Sequence, residues 1–192
     1  MKFAAKNALS RCGPYLVIAV AVGVLAGATA TEFAAGDDGR VQPATARLNI
    51  ERAADAALAA VPGHIADLGL HHNGRTLIWE ADVLAVGGTW RELHIDAGNG
   101  RVLSNEIDAS DKGDRRAGGS RPRDYAKALR SAKITARQAV RAAVQAVPGT
   151  AVSVDFEYRQ TRYVWEVDIT TGNGRKRELR VDATTGKATA HR

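Results

Sequence analysis

Two segments of this chain place apolar residues at helical spacing. In residues 50–61, and again in residues 136–147, apolar side chains recur at i, i+3, i+4, i+7, i+8 and i+11. This spacing gathers them on one side of a helix, so each segment is predicted to be an amphipathic helix. Asn49 and Thr135 stand where N-caps are expected, and Gln138 completes a capping box with Thr135.

A Pro-Gly pair follows each predicted helix. Pro62 and Gly63 follow the first helix, and Pro148 and Gly149 follow the second. Proline lacks the amide donor that would continue a helix, and glycine accepts a left-handed turn. Each pair is therefore predicted to end its helix, and all four residues are assigned a structural role.

After the second Pro-Gly pair the apolar period changes from 3.6 to 2. Apolar and polar residues alternate in residues 152–158, 163–169 and 179–183, and Asn173-Gly174 is a hairpin-turn signal. Such alternation predicts antiparallel strands with one face on the helix and the other on water. The unit is therefore predicted to be one amphipathic helix packed on a three- to four-stranded antiparallel sheet.

The same unit occurs twice. The stretch LIWEADVLAVGGTWRELHIDAGNGRV, which starts at Leu77, aligns without a gap with YVWEVDITTGNGRKRELRVDATTGKA, which starts at Tyr163 and lies 86 residues later. An internal repeat of this length predicts tandem modules. The predicted fold class is α+β with two tandem small modules, and the sequence leaves open whether the modules pack together.

The regions outside the repeats differ from them in composition. Residues 1–30 hold a basic leader and a charge-free apolar run that ends in a small-x-small site, which predicts a cleaved signal peptide or a retained membrane anchor. Positive residues before the run predict that the repeats are extracytoplasmic, either secreted or anchored to the cell membrane by one N-terminal helix. The other predicted segments are a spacer at 31–45, repeat 1 at 46–107, a basic flexible linker at 108–132 and repeat 2 at 133–192.

The distribution of charge and the absence of certain motifs argue against several classes of function. The formal net charge is +6, but eight basic and three acidic residues fall between Asp111 and Lys133, most of them in the predicted linker. A nucleic-acid-binding module concentrates positive charge on its folded surface, so no nucleic-acid partner is predicted. The sequence contains no HExxH motif and no phosphate-binding loop, so neither an enzyme nor a cofactor is predicted.

Short motifs in both repeats resemble those of the PepSY family. Repeat 2 has VPG at 147–149, WEV at 165–167 and VDATTGK at 181–187, and repeat 1 has the diverged ending IDAGNGR at 95–101. PepSY modules occur in propeptides of secreted metallopeptidases and in extracytoplasmic membrane proteins. The resemblance implies a non-enzymatic binding module that regulates or inhibits a peptidase, which would be a separate exported protein because this sequence lacks HExxH.

Strand alternation separates the inward from the outward side chains. Trp79 and Trp165 have inward parity and are predicted to be core residues under the helices. Eight carboxylates have outward parity, and they form either a solvated face that pairs with Lys176 and Arg180 or an acidic surface for a basic partner or a cation. They are Glu80, Asp82, Glu92, Asp96, Glu166, Asp168, Glu178 and Asp182.

Trp90 stands beside a turn, with outward parity, where repeat 2 has Lys176. Either the linker or the other repeat covers it, or it is an exposed contact residue for a protein partner. An exposed edge strand would also accept a partner's extended chain by strand addition. The predicted partner-binding residues are Trp90, Glu80, Asp82, Glu92, Glu166, Asp168 and Glu178.

Repeat 1 is richer in histidine than repeat 2. His71 and His94 share the outward parity of Asp67 and Asp96. Imidazole and carboxylate groups on neighbouring strands bind divalent transition metals. These four residues are therefore the candidate ligands of an alternative function, that of an envelope-localised ligand or metal sensor.

Overall fold

The computed structural model describes the two repeats and the end of the segment between them. The predicted N-terminal segments, residues 1–45, and most of the predicted linker lie outside the described residues. Within the described part, no helix is long and apolar enough to cross a membrane. The described residues are 46–74, 76–108, 124–159 and 161–191.

Each repeat folds as one helix followed by four antiparallel strands, which confirms the predicted α+β class. Repeat 1 contains α1 (Ile50–Ala60), β1 (Gly63–Asn73), β2 (Thr76–Ala85), β3 (Trp90–Asp96) and β4 (Val102–Ile107). The segment between the repeats contains α2 (Tyr125–Ser131). Repeat 2 contains α3 (Ala136–Ala146), β5 (Thr150–Arg159), β6 (Arg162–Thr170), β7 (Lys176–Asp182) and β8 (Ala188–Ala190).

The eight strands form one antiparallel sheet in the order β4-β3-β2-β1-β5-β6-β7-β8. The two modules join where β1 pairs with β5, around the directly opposed residues Leu68 and Val154. The tandem modules therefore share one sheet, an arrangement that the sequence left open.

Both main helices begin at the predicted caps. The side chain of Asn49 accepts the amide of Arg52 at 3.0 Å, and Thr135 forms a capping box with Gln138. Small residues on the inner side of each helix let it approach the sheet closely. Those that are fully buried are Ala53, Ala57, Ala139 and Ala143.

The two inward tryptophans hold the helices to the sheet. Trp79 and Trp165 are 2% and 1% exposed. The indole nitrogen of Trp79 donates to the carbonyl of Leu48 at 3.0 Å, and that of Trp165 donates to the carbonyl of Ile134 at 2.8 Å. Each bond fixes the chain just before a helix cap, so burial of the ring and satisfaction of its polar group occur together.

The glycines of the Pro-Gly pairs are required for a reason other than the predicted one. Neither Gly63 nor Gly149 has a positive φ angle, so the predicted left-handed turn is wrong. A Cβ atom at Gly63 would lie 2.2 Å from the carbonyl oxygen of Leu84, and one at Gly149 would lie 2.6 Å from that of Thr170. Glycine is required because the neighbouring strand, β2 or β6, passes too close to allow a side chain.

Helix α2 corrects the predicted extent of the flexible linker. Tyr125 and Leu129 of α2 are 7% and 2% exposed. The hydroxyl of Tyr125 donates to the carbonyl of Phe156 at 2.6 Å, and the hydroxyl of Tyr163 donates to Asp124 at 3.0 Å. Burial, together with this bond, raises the pKa of Tyr163 to about 12. Because these contacts hold α2 and its exposed N-cap, Asp124, against the folded repeats, the flexible-linker assignment is wrong for both.

Candidate partner-binding surface

The sheet face opposite α1 and α3 carries most of the predicted binding residues. Trp79 points towards the helices, so its neighbours on the strand, Glu80 and Asp82, have side chains on the other side. The strand pairing extends this side through both repeats. We call it the outer face, and its acidic residues are Asp67, Glu80, Asp82, Glu92, Glu106, Asp155, Glu157, Glu166, Asp168 and Glu178.

Six of these acids lie directly opposite one another across six neighbouring strands. Adjacent strands in a sheet are about 4.8 Å apart, and like charges in directly opposed positions are unfavourable. Stability by itself would therefore disfavour this arrangement. We call it the acidic row, and from β4 to β6 it consists of Glu106, Glu92, Asp82, Asp67, Asp155 and Glu166.

The sequence did not identify Asp155 or Glu106 as binding residues. It placed Asp67 among the candidate metal ligands but not on the partner-binding surface. The alternation along β5 already gave Asp155 its outward parity. Its position opposite Asp67 depends on the pairing of β1 with β5, for which the sequence carries no local signal. Asp67 lies at the centre of the row and is 6% exposed.

Repeat 2 supplies permanent cations to its half of the outer face. The guanidinium Nε atoms of Arg159 and Arg180 each lie 2.9 Å from the carboxylate of Glu166. Arg180 also approaches Glu178 at 3.5 Å. The predicted pairing of outward carboxylates with Arg180 is thus present, and it neutralises part of the charge on this half.

Repeat 1 has His94 at the position that Arg180 occupies in repeat 2. The Nε2 atom of His94 is 3.3 Å from Glu92 and 3.9 Å from Glu80. An imidazole is charged only when it is protonated, whereas a guanidinium is always charged. Repeat 1 therefore has a cation that depends on protonation where repeat 2 has a permanent one.

Some outward carboxylates also accept hydrogen bonds from uncharged groups of the chain. Asp168 accepts the hydroxyl of Ser153 at 3.2 Å. Asp96 and Asp182 close turns, since Asp96 accepts the amide of Gly98 at 2.7 Å and Asp182 accepts that of Thr185 at 2.8 Å. The backbone hydrogen bond from Thr185, more than any other contact, lowers the pKa of Asp182. These two aspartates have structural roles.

The four predicted metal ligands do not come together. His71 and Asp96 lie two strands apart, with Ile78 of β2 between them. Asp67 and His94 are likewise on β1 and β3, and two strands are separated by roughly 10 Å. Among the described residues, no group of three or more His, Cys, Asp or Glu side chains is placed to hold a metal ion. The metal-site prediction is therefore wrong for this set, because shared parity does not make residues neighbours.

Trp90 is not freely exposed, so one of its two interpretations is wrong. Its side chain is half-buried against the core, and its ring centroid is 6.2 Å from that of Tyr125 in α2. The other interpretation, coverage by the segment between the repeats, describes the structure. Trp90 is thus a contact of α2.

The described sheet ends at β4 and β8, and these edges differ. Strand β8 has three residues, whereas β4 has six and exposes Leu103 and Ile107. The guanidinium of Arg91 donates to both the backbone carbonyl and the side chain of Asn105 in β4, each at 2.8 Å. This contact occupies an acceptor that an added strand would use, so we centre the candidate site on the outer face.

The family comparison agrees with the repeat boundaries. The model of the PepSY family, described as "Peptidase propeptide and YPEB domain", matches residues 47–106 and 133–192. Together these matches cover more than half of the chain. They coincide within one residue with the repeats derived from the sequence.

The solved structures similar to this chain include two of bacterial proteins. A "putative lipoprotein" from Clostridium difficile 630 is 15% identical with a TM-score of 0.40, and the alignment covers 75% of this chain and 93% of that one. The YpmB protein from Bacillus subtilis is 17% identical with a TM-score of 0.30, covering 72% and 92% of the two chains. No curated protein matches this chain.

Proposed function

Because this chain belongs to the PepSY family, we propose that it is a non-enzymatic, extracytoplasmic binding module that regulates or inhibits a separate exported peptidase. The family description, which names a peptidase propeptide, supports this class of partner. The predicted N-terminal export segment supports the location. No catalytic residue is assigned, and the work of the protein is binding.

The acidic row is the observation that carries the proposal. It places six carboxylates in line on a continuous sheet face, where strand pairing fixes their spacing. Such a surface complements a basic patch on a folded partner. Concentrated charge of one sign steers a partner of the opposite sign and raises its association rate, more strongly at low salt. We therefore propose that the peptidase presents a basic surface to the outer face.

Repeat 1 is the proposed principal contact. Its half of the face has His94, which is cationic only when it is protonated, in place of the permanently charged Arg180. Repeat 2 extends the same face and contributes Asp155 and Glu166 to the row. The sheet is continuous across the two repeats, so both halves of the outer face contact the same partner.

An affinity capture from exported proteins tests this function. The chain from residue 31 onward serves as bait, next to a variant carrying Asp82→Asn and Glu92→Gln. The control carries Ala59→Lys and Gln145→Lys, which change the net charge equally at exposed positions on the helix side. We expect wild type and control to retain a peptidase, and the outer-face variant to bind it about tenfold more weakly.

The captured peptidase is then assayed with and without the chain. We expect the wild-type chain to slow its proteolysis, and we expect the effect to weaken as salt rises. If the outer-face variant retained the same proteins as wild type, the acidic row would not be the binding surface. If no captured protein had its proteolysis changed by the chain, the peptidase role would be wrong.

A further inference from the structure

The strand junction between the repeats has local two-fold symmetry. Residues 86 positions apart are equivalent in the two repeats. In the pairing of β1 with β5, Leu68 lies opposite its own equivalent, Val154. On either side, Asp67 lies opposite Asp155 and Gly69 lies opposite Ser153. The two-fold axis therefore passes between Leu68 and Val154.

The helices above this junction follow the same symmetry. Asp55 of α1 forms an ion pair with Arg137 of α3, and Glu51 forms one with Arg141 at 2.7 Å. The two helices therefore lie side by side and antiparallel. Midway between the two ion pairs are the equivalent residues Ala53 and Ala139, which are fully buried. In a two-fold pair of modules, if position i of the first helix contacts position j of the second, then position j of the first also contacts position i of the second.

The ion pairs join positions that differ in charge between the repeats. Glu51 is equivalent to Arg137, and Asp55 is equivalent to Arg141. Repeat 1 is therefore acidic at both positions, and repeat 2 is basic at both. If two copies of repeat 1 paired in this geometry, Glu51 of one would face Asp55 of the other. Two copies of repeat 2 would bring arginine against arginine.

We propose that these four side chains determine which module each repeat accepts as its partner. Repeat 1 accepts a PepSY module with cations at the two helix positions, and repeat 2 is that module. The same charges disfavour pairing of either repeat with its own copy in a second chain. They thereby favour closure of the sheet within one molecule.

Charge reversal within the full chain reproduces the disfavoured pairs. The variant Arg137→Glu/Arg141→Glu places four acids at the junction, as two copies of repeat 1 would. The variant Glu51→Arg/Asp55→Arg places four arginines there, as two copies of repeat 2 would. A third variant combines all four substitutions and restores opposite charges in exchanged positions. Thermal melting is measured for each variant, and hydrogen exchange of β1 and β5 is measured in parallel.

We expect each double variant to melt about 3–6 °C below wild type at 0.1 M salt, with about tenfold faster exchange around Leu68 and Val154. The combined variant should melt within about 1 °C of wild type. The four side chains are between 33% and 56% exposed, so the differences should shrink at 1 M salt.

The control Arg101→Glu/Arg175→Glu makes the same change in net charge as the first double variant, at exposed turn positions away from the helices and their ion pairs. It should melt within about 1 °C of wild type. The proposal is overturned if melting and exchange of the double variants match wild type. It is also overturned if the combined variant is as unstable as the double variants, because local disruption would then explain the loss.

Discussion

At the scale of single residues, Asp182 shows how one carboxylate closes the turn after β7. Its Oδ1 atom accepts the backbone amides of Thr184 at 3.0 Å and Thr185 at 2.8 Å, and also the hydroxyl of Thr185. These bonds favour the charged carboxylate, so the pKa of Asp182 is lowered. A group whose pKa is lowered by folding stabilises the protein above its unfolded pKa and loses that contribution as pH falls through the folded value.

We expect Asp182→Asn to reduce stability at pH 7 by about 1 kcal/mol, because a neutral amide accepts the same bonds more weakly. The difference from wild type should shrink as pH falls below the pKa of an unfolded aspartate, about 4, and disappear below the lowered pKa of folded Asp182. Melting temperatures between pH 2 and 7 measure this. Glu106→Gln, at an exposed position of the acidic row, makes the same change in net charge and should not lower stability at pH 7. A deficit that stayed constant down to pH 2 would exclude a charged carboxylate as its source.

At the scale of elements, α2 joins the two repeats at one end of the sheet. The ring centroid of Tyr125 lies 5.4 Å from that of Phe156 and 6.2 Å from that of Trp90. Its hydroxyl bonds to the backbone of β5, and its ring reaches the first residue of β3. A short helix in a charged, glycine-containing segment is therefore fixed by tertiary contacts, since seven residues are too few for a stable isolated helix.

We expect Tyr125→Phe to destabilise the protein by about 1–2 kcal/mol, because the buried carbonyl of Phe156 loses its 2.6 Å hydrogen bond from this hydroxyl. Chemical denaturation measures the change, and the slope with denaturant should be unaffected. Tyr158→Phe is the matched control, since Tyr158 is 44% exposed. If both variants were equally stable, the bond to Phe156 would contribute nothing.

At the scale of the whole molecule, two units of about sixty residues share one sheet. A module of this size buries a smaller fraction of its unfolded surface than a larger domain does, and it is marginal by itself. The junction through Leu68 and Val154, the ion pairs between α1 and α3, and the contacts of α2 all cross the boundary between the repeats. We therefore regard the described residues as one folding unit with an internal repeat.

We expect a single cooperative unfolding transition in calorimetry, with equal calorimetric and van't Hoff enthalpies. Trp165→Ala should lower stability by about 3–5 kcal/mol and move the whole transition. Fluorescence of the two remaining tryptophans, Trp79 and Trp90, should report the same shifted midpoint, although both lie in the other repeat. Two separated transitions, with only the one from repeat 2 displaced, would show that the modules unfold independently.

The sequence by itself determined the features that depend on local spacing. Apolar periods of 3.6 and 2 gave the helices, the strands and the inward position of Trp79, and polar residues at helix starts gave the caps. The offset of 86 residues gave the repeat. Each of these signals lies within a few turns or strands of the chain, where backbone geometry links residue spacing to direction.

Only the tertiary structure decided which remote segments became neighbours. The pairing of β1 with β5 aligned Asp67 with Asp155 and completed the acidic row, and the position of α2 covered Trp90. The register of β3 against β2 separated His71 from Asp96. Parity along a strand fixes the face on which a side chain lies, but its neighbours depend on pairing between distant segments. That pairing is set by the packing of the whole chain.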